Sequence, residues 1–295
     1  MARGEPLCDE VEAPSSLSRH HAAGSPSARG ILFTVLGELL LGSDGTSDGS
    51  AWTSALVDVL GQLGVEEKAA RQALLRSADD GWVAAERVGR RARWHLTPAA
   101  TDMLTDGARR IYSFTGPDDN WDGHWLLLYA RVPERDRKAR HILRSRLRWA
   151  GFGTLGPHLW VSTHPDREAE ARQVLHDAGA ADGAHLFIAT RPGVGDLRAM
   201  VSEAWDLDAV QAEYETFLDD FSDTRCAHVL ARQIALVHAW RRFPAIDPAL
   251  PRELLPARWS GTDAAELFAR RHIQWAARAR AEWLTLNAGG RPGAG

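Results

Sequence analysis

Seven basic side chains fall between Lys68 and Leu96, namely Lys68, Arg71, Arg76, Arg87, Arg90, Arg91 and Arg93, against the acidic Asp79, Asp80 and Glu86, for a local charge of +4. An arginine bridges the two acceptors of guanine and a glutamine those of adenine, so Arg71, Gln72 and Arg76 are suited to reading base edges. Arginines on a hairpin reach phosphates or the minor groove, which is the chemistry Arg87, Arg90, Arg91 and Arg93 would supply. Four arginines within seven residues exceed what solubility requires. The plain alternative is a solvated helix and a charged hairpin in a protein-binding domain, with Arg76 and Arg93 paired to Asp79, Asp80 or Glu86.

A second basic set lies between Arg131 and Trp149, where Arg131, Arg135, Arg137, Lys138, Arg140, Arg144, Arg146 and Arg148 face only Glu134 and Asp136, a local charge of +6. Arg137, Arg140, Arg144 and Arg148 recur at steps of three or four and form a stripe on one side of a helix, while Ile142, Leu143 and Leu147 face a core. Such a stripe suits phosphate. Residues 196–223 offer a competing partner, with nine carboxylates against Arg198 alone, a local charge of −8. Opposite stripes of that size can simply dock one domain on another. A third set, His238, Trp240, Arg241, Arg242, Arg258 and Trp259, flanks a proline-rich loop. Tryptophan faces accept an aromatic group and arginine forks accept phosphates, although the same residues serve as packing for a helical bundle.

The elements that must position these groups follow from periodicity. Ile31, Leu32, Val35, Leu36, Leu39 and Leu40 predict a helix from Ala28, broken at Gly42–Gly49. Leu56, Val57, Leu60 and Leu63 predict a second, ending at Gly64, and Val65–Ala78 a third amphipathic one. Strands Trp82–Glu86 and Ala92–Leu96 are expected next, joined by the turn Arg87–Arg91. Three helices and a hairpin read as a winged helix-turn-helix. From Trp121 the pattern becomes strand Trp125–Val132, helix Glu134–Ala150, a short strand pair Phe152–Leu155 and Leu159–Ser162, helix Arg167–Ala178 and strand His185–Thr190. That βαββαβ order reads as ferredoxin-like. Helices Leu207–Phe221, Cys226–Arg242 and Ala264–Leu286 then predict an all-helical third domain. The expected class is α+β multidomain, divided at 1–27 (a disordered arm), 28–115, 116–192, 193–286 and 287–295 (a flexible tail).

Composition sets outer limits. The chain has 295 residues, 44% hydrophobic and 25% charged, long enough for more than one core. A net charge of −4 would, taken whole, disfavour a nucleic-acid partner, but the charge is segregated along the chain. Lys68 and Lys138 are the only lysines, so basic sites offer planar forks, a bias that a GC-rich genome also produces. Cys8 and Cys226 are too separated for a disulfide framework or a thiolate metal site, and a reducing cytoplasm fits them. No apolar run approaches the roughly 20 residues that span a bilayer. Met1–Arg29 lacks a signal-peptide core, so export is not expected. His20, His21, His124, His141, His158 and His164 lack zinc-ligand spacing, and most read as surface histidines. No nucleophile elbow or phosphate loop is visible, so neither an enzyme nor a cofactor is expected.

The chain resembles the PaaX-type transcriptional regulators, the phenylacetic-acid catabolon repressors, over nearly all of its expected ordered length. The resemblance is carried by Phe33–Glu38, Leu63-Gly64-Val65, Ala70–Leu74 with Arg76, Gly81-Trp82, Arg87–Arg90, Leu96-Thr97, Arg110-Ile111-Tyr112, Trp121–Trp125, Leu147–Gly153 and Trp205-Asp206-Leu207. Arg241–Pro244, Asp247–Pro251 and Leu254–Gly261 complete it. It implies a dimeric, cytoplasmic, nucleoid-associated repressor of aromatic-acid or related catabolic genes that binds double-stranded operator DNA. It also implies release by an acyl-CoA thioester of the phenylacetyl-CoA kind, for which Arg140, Arg144, Arg148, Trp149, His238, Arg241, Arg242 and Trp259 are the candidate contacts. The middle segment also resembles the small ferredoxin-fold nucleases of CRISPR adaptation. Those proteins carry a metal-binding aspartate after a tyrosine at the end of the first strand, where this chain has Tyr129 followed by Ala130. Without that carboxylate a hard cation lacks its oxygen ligand, so the resemblance implies dimerisation and not catalysis.

Overall fold

The computed structural model describes residues 27–41, 49–117, 121–133, 135–190, 194–223 and 228–289. Apart from Ser27 the expected arm lies outside them, as do Cys8, Cys226 and residues 290–295 of the expected tail. The described parts of 1–113, 216–240 and 266–295 form one compact unit, and those of 114–215 and 241–265 a second.

The first unit begins where Ser27 accepts the Gly30 amide at 3.1 Å and so starts α1 (Ala28–Leu40), which buries Ile31, Leu32, Val35, Leu36, Leu39 and Leu40. After β1 (Ser50–Trp52), α2 (Thr53–Gln62) buries Ala55, Leu56, Val59 and Leu60. At its end Gly64 takes φ +80°, and the amides of Gly64 and Val65 return to the Gly61 and Leu60 carbonyls at 3.0 Å each. That closure stops the helix and turns the chain directly into α3 (Glu67–Asp79).

The strands that follow are β2 (Val83–Val88) and β3 (Arg91–Leu96). Their turn is tighter than the sequence suggested. Val88 pairs with Arg91, leaving Gly89 and Arg90 as the loop, and Gly89 has φ +63°, as the first position of a II′ turn requires. Two elements carry no visible period. β1 is too short to show one, yet it completes an antiparallel sheet in the order β1-β3-β2. The helix α4 (Pro98–Ser113) buries only Ala100 and is announced instead by Thr97, whose hydroxyl accepts the Ala100 amide at 3.3 Å, followed by Pro98.

The second unit is built on β4 (Trp125–Ala130), α5 (Arg137–Trp149), β5 (Gly153–Thr154), β6 (Leu159–Ser162), α6 (Glu168–Asp177) and β7 (Ala184–Ala189). Its sheet runs β5-β6-β4-β7 with every neighbour antiparallel. Strand period places Leu126, Leu128 and Trp160 on one face, where they pack with Leu143 and Leu147 of α5 and Val174 and Leu175 of α6. Trp125 and Val161 face the other way. They pack with Val201 and Ala204 of α7 (Leu197–Ala204) and with Leu250, Leu254 and Leu255 of the proline-rich loop.

That loop is pinned by polar groups. Asp247, 6% exposed, accepts the Tyr214 hydroxyl at 2.5 Å and the Ala249 amide at 2.7 Å, and Ala249 itself is held at φ +54°. Burial pushes the Asp247 carboxyl up, partly offset by those two donors. His164 is half-buried and bonds the carbonyls of Pro248 and Ala249 at 3.1 Å each.

The helices after residue 196 contribute residues to both units. α8 (Leu207–Phe221) packs Tyr214 with Phe243 in the second, while its Phe217 and Phe221 belong to the first, where Phe217 meets Trp240. The single-turn α10 (Phe243–Ile246) stays with the second unit. In the first, α9 (Val229–Trp240) is buried nearly all round, and Glu282 of α11 (Gly261–Gly289) accepts its Val229 and Leu230 amides at 3.3 and 2.8 Å. Asn287, expected in a loose tail, is fixed: its amide accepts from the Trp52 N–H at 3.0 Å and donates to the Ser50 carbonyl at 2.9 Å.

Gly153 has no room for a side chain, since a Cβ there would stand 2.6 Å from Trp205 and 2.8 Å from the Ala204 carbonyl oxygen. Gly153→Ala is therefore expected to lower unfolding free energy by about 1–3 kcal/mol in urea denaturation, whereas Gly179→Ala, which meets nothing within 4 Å but sits at φ +62°, tests backbone strain without overpacking.

Candidate nucleic-acid interface

Helix α3 turns Ala70, Ala73, Leu74 and Ser77 inward. Helical spacing therefore sends Lys68, Arg71, Gln72 and Arg76 outward, and all four are exposed. Arg71 reaches back one turn to Glu67, with its Nε 2.8 Å from the carboxylate. An exposed i,i+4 pair of this kind contributes only a few tenths of a kcal/mol, so a phosphate or base edge can displace it. Asp80 is taken by Arg29 at 2.5 Å, and not by Arg76 or Arg93.

Hairpin register separates the arginines that the sequence groups together. Glu86 lies opposite Arg93 and Val88 opposite Arg91, which puts Arg91 and Arg93 on one face, while Arg87, opposite Ala92, points to the other. Arg90 sits in the turn. Arg87, Arg90 and Arg91 are exposed. Arg93 turns instead toward β1, its Nε donating to the Ser50 hydroxyl at 2.5 Å and its guanidinium standing 5.8 Å from the Trp52 ring centroid. Arg93 thus fastens the three-stranded sheet.

In the second unit, the stripe on α5 is as expected: Arg137, Arg140, Arg144 and Arg148 are all exposed, as is Trp149 at 48%. The helix starts where Asp136 accepts the Ala139 amide at 2.9 Å. Arg146 is paired across to Asp177 on α6. Arg140 and Arg144 line a cleft of about 190 Å³ at the end of β4, with Ala130, Val132, Leu143 and Pro157 as apolar walls and His158 and Trp160 completing it. Arg148 and Trp149 lie farther along the helix and are not part of this lining. Pro157 and His158 of the β5–β6 turn and Trp160 of β6 escaped the sequence reading as site residues because no spacing links them to the stripe.

Three of the remaining candidates, His238, Arg242 and Trp259, are engaged by neighbouring side chains. His238 shares a hydrogen bond of 2.9 Å with the Thr34 hydroxyl in the first unit. In the second, Arg242 pairs with Glu213 at 3.1 Å, and Trp259 presents its edge to Tyr214 with centroids 5.6 Å apart. Arg241 is exposed. None of these four lines the Arg140–Arg144 cleft.

Comparison with known proteins divides the chain into three successive segments. Family models described as "PaaX-like protein", "PaaX protein central Cas2-like domain" and "PaaX-like protein C-terminal domain" match residues 27–100, 118–201 and 205–285. The chain is 34% identical over 236 residues to the transcriptional repressor PaaX of Escherichia coli strain K12, covering 74% of this chain and 72% of that protein. Among solved structures, the uncharacterized protein Rv0674 from Mycobacterium tuberculosis aligns with a TM-score of 0.60 at 22% identity, over 88% of this chain and 100% of that one, which is a likeness of fold.

Arg93→Ala is expected to lower the stability of the chain by about 1–2 kcal/mol, because it removes the hydrogen bond to the Ser50 hydroxyl and the guanidinium that covers Trp52. Arg90→Ala, at a solvated turn, should stay within about 0.5 kcal/mol of the parent in the same urea titration.

Proposed function

We propose, from the premise that this chain belongs to the PaaX family of transcriptional repressors, that it holds operator DNA with α3 in the major groove and the β2–β3 hairpin on the flanking backbone. The observation that carries this is the outward face of α3. Lys68, Arg71, Gln72 and Arg76 are exposed together on a helix whose opposite side is buried, and an exposed hairpin bearing Arg87, Arg90 and Arg91 follows directly. Read so, the first region is a winged helix-turn-helix, with Gly64 making the turn between its helices.

The middle region is a ferredoxin-like sandwich in this reading, supported by its sheet order of first strand flanked by fourth and third, with the second outermost. It serves dimerisation, supported by an uncovered aromatic patch on the sheet face opposite α5: His185 stacks on Tyr129 with centroids 6.5 Å apart, next to Phe187, which is 55% exposed. A two-fold dimer of such readers prefers an inverted or near-inverted repeat.

The effector is an acyl-CoA thioester, with a phosphate of the coenzyme set against Arg140 and Arg144 at the cleft mouth; the apolar walls suit a small acyl or aromatic body. Genes for aromatic-acid or related catabolism are the targets, at cytoplasmic DNA, and the chain acts as a regulator and not as an enzyme. An effector that favours the arrangement poorer in DNA affinity weakens binding by its differential affinity for the two, typically about 1–3 kcal/mol.

Gel-shift titration with the DNA upstream of the chain's own gene tests both parts. Specific binding should be lost in the Arg71→Ala, Arg76→Ala double variant. In the Arg90→Ala, Arg91→Ala variant it should weaken across all sequences, with a shallower salt dependence. One member of an acyl-CoA panel should release the parent and fail to release Arg140→Ala, Arg144→Ala. Unchanged operator affinity in both DNA variants contradicts the assigned surface, and a panel without effect contradicts the effector class.

A further inference from the structure

One side chain on the outward face of α3 does not fit a purely electrostatic surface. Leu75 is 58% exposed. At about 100° per residue it points between Arg71 and Gln72, almost over Lys68, and well away from the stripe of buried Ala70, Ala73, Leu74 and Ser77, nearly opposite Ala73 and Ser77. It therefore cannot belong to the core stripe of this helix. A large aliphatic group there forgoes burial in the folded chain, and Arg71 and Gln72, one step of three or four away, set it among the residues assigned to base edges. The apolar feature that the major groove offers is the 5-methyl group of thymine.

We infer that Leu75 is a specificity-determining residue that reads thymine by packing on its 5-methyl group, between bases contacted by Arg71 and Gln72. This rests on the assignment of α3 to the major groove. It makes the recognition face mixed: cationic forks discriminate by hydrogen bonds, and Leu75 discriminates by shape and desolvation. The consequence is a preference for an A·T pair that the hydrogen-bonding residues alone do not supply.

The test is selection of bound duplexes from a random double-stranded pool by the full chain and by Leu75→Ala, then affinity measurements on the wild-type-selected duplex with each thymine replaced in turn by deoxyuridine. Deoxyuridine removes the methyl group and leaves pairing intact. At one thymine, or two adjacent ones, in each half-site the wild type should lose about fourfold in affinity per replacement, the size expected for one buried methyl group. Leu75→Ala should bind the thymine duplex about fourfold or more weaker than wild type and be indifferent to deoxyuridine at that position. Because Leu75 is exposed, this variant keeps the core intact, and unchanged thermal unfolding verifies it. Equal deoxyuridine sensitivity in both proteins overturns the inference and leaves the DNA surface standing. Failure of the wild type to enrich any sequence overturns the DNA surface, and the inference with it.

Discussion

Small side chains on the inner face of α3 set the geometry of the exposed one. Ala70, Ala73 and Ser77, with Leu74 as the single large group, let the helix sit close on α1 and α2, and each is 5% exposed or less. Close packing leaves little rotational freedom, because a turn of the helix about its axis would expose Leu74 and bury an arginine. The outward direction of Arg71, Gln72, Leu75 and Arg76 is thereby fixed by what lies behind them. The Gly64 closure fixes where the helix starts, and the pairing of β1, β2 and β3 fixes how the hairpin leaves it. Asn287 and Arg93 both fasten β1, so the far end of α11 and the hairpin itself share the work of holding this sheet.

The second unit solves a different problem. A four-stranded antiparallel sheet has two faces to satisfy, and α5 and α6 cover only one. The proline-rich loop and α7 cover part of the other, which is why Asp247, Tyr214 and His164 are committed to pinning that loop. Gly153 is the place where chain and cover come closest. What is left uncovered is the aromatic strip of Tyr129, His185 and Phe187. On the α5 side the arginine stripe stays in solvent because its helix buries Ala139, Leu143 and Leu147 instead, and the cleft forms where β4 ends beneath Arg140 and Arg144.

Much of this was legible in the residues. Helical spacing located α1, α2, α3, α5, α6, α8, α9 and α11, and strand runs located β4, β6 and β7; apart from β7, whose residues are half-buried or exposed, each buries a long enough stripe for its period to show. β1 was not legible at three residues, and α4 was not because its helix is mostly solvated; its start signal, Thr97 before Pro98, was present. The helices after residue 193 are one run in sequence and two packing neighbourhoods in space, because a helix such as α8 changes what it packs against along its length. Arg93 illustrates the limit for the site. Its type and spacing match its neighbours on the hairpin, and only strand register, with Ser50 and Trp52 beside it, distinguishes a fastening from an exposed arginine.

The central claim is that α3, and not the arginine helix α5, meets DNA. Placing a single cysteine at Gln72 or at Arg144, with Cys8 and Cys226 changed to serine, allows a tethered iron-chelate cleaver to be carried on either helix. From position 72 the selected duplex should be cut within each half-site, at positions facing the major groove, and from position 144 it should remain intact. Cutting from position 144 with none from position 72 would contradict the account.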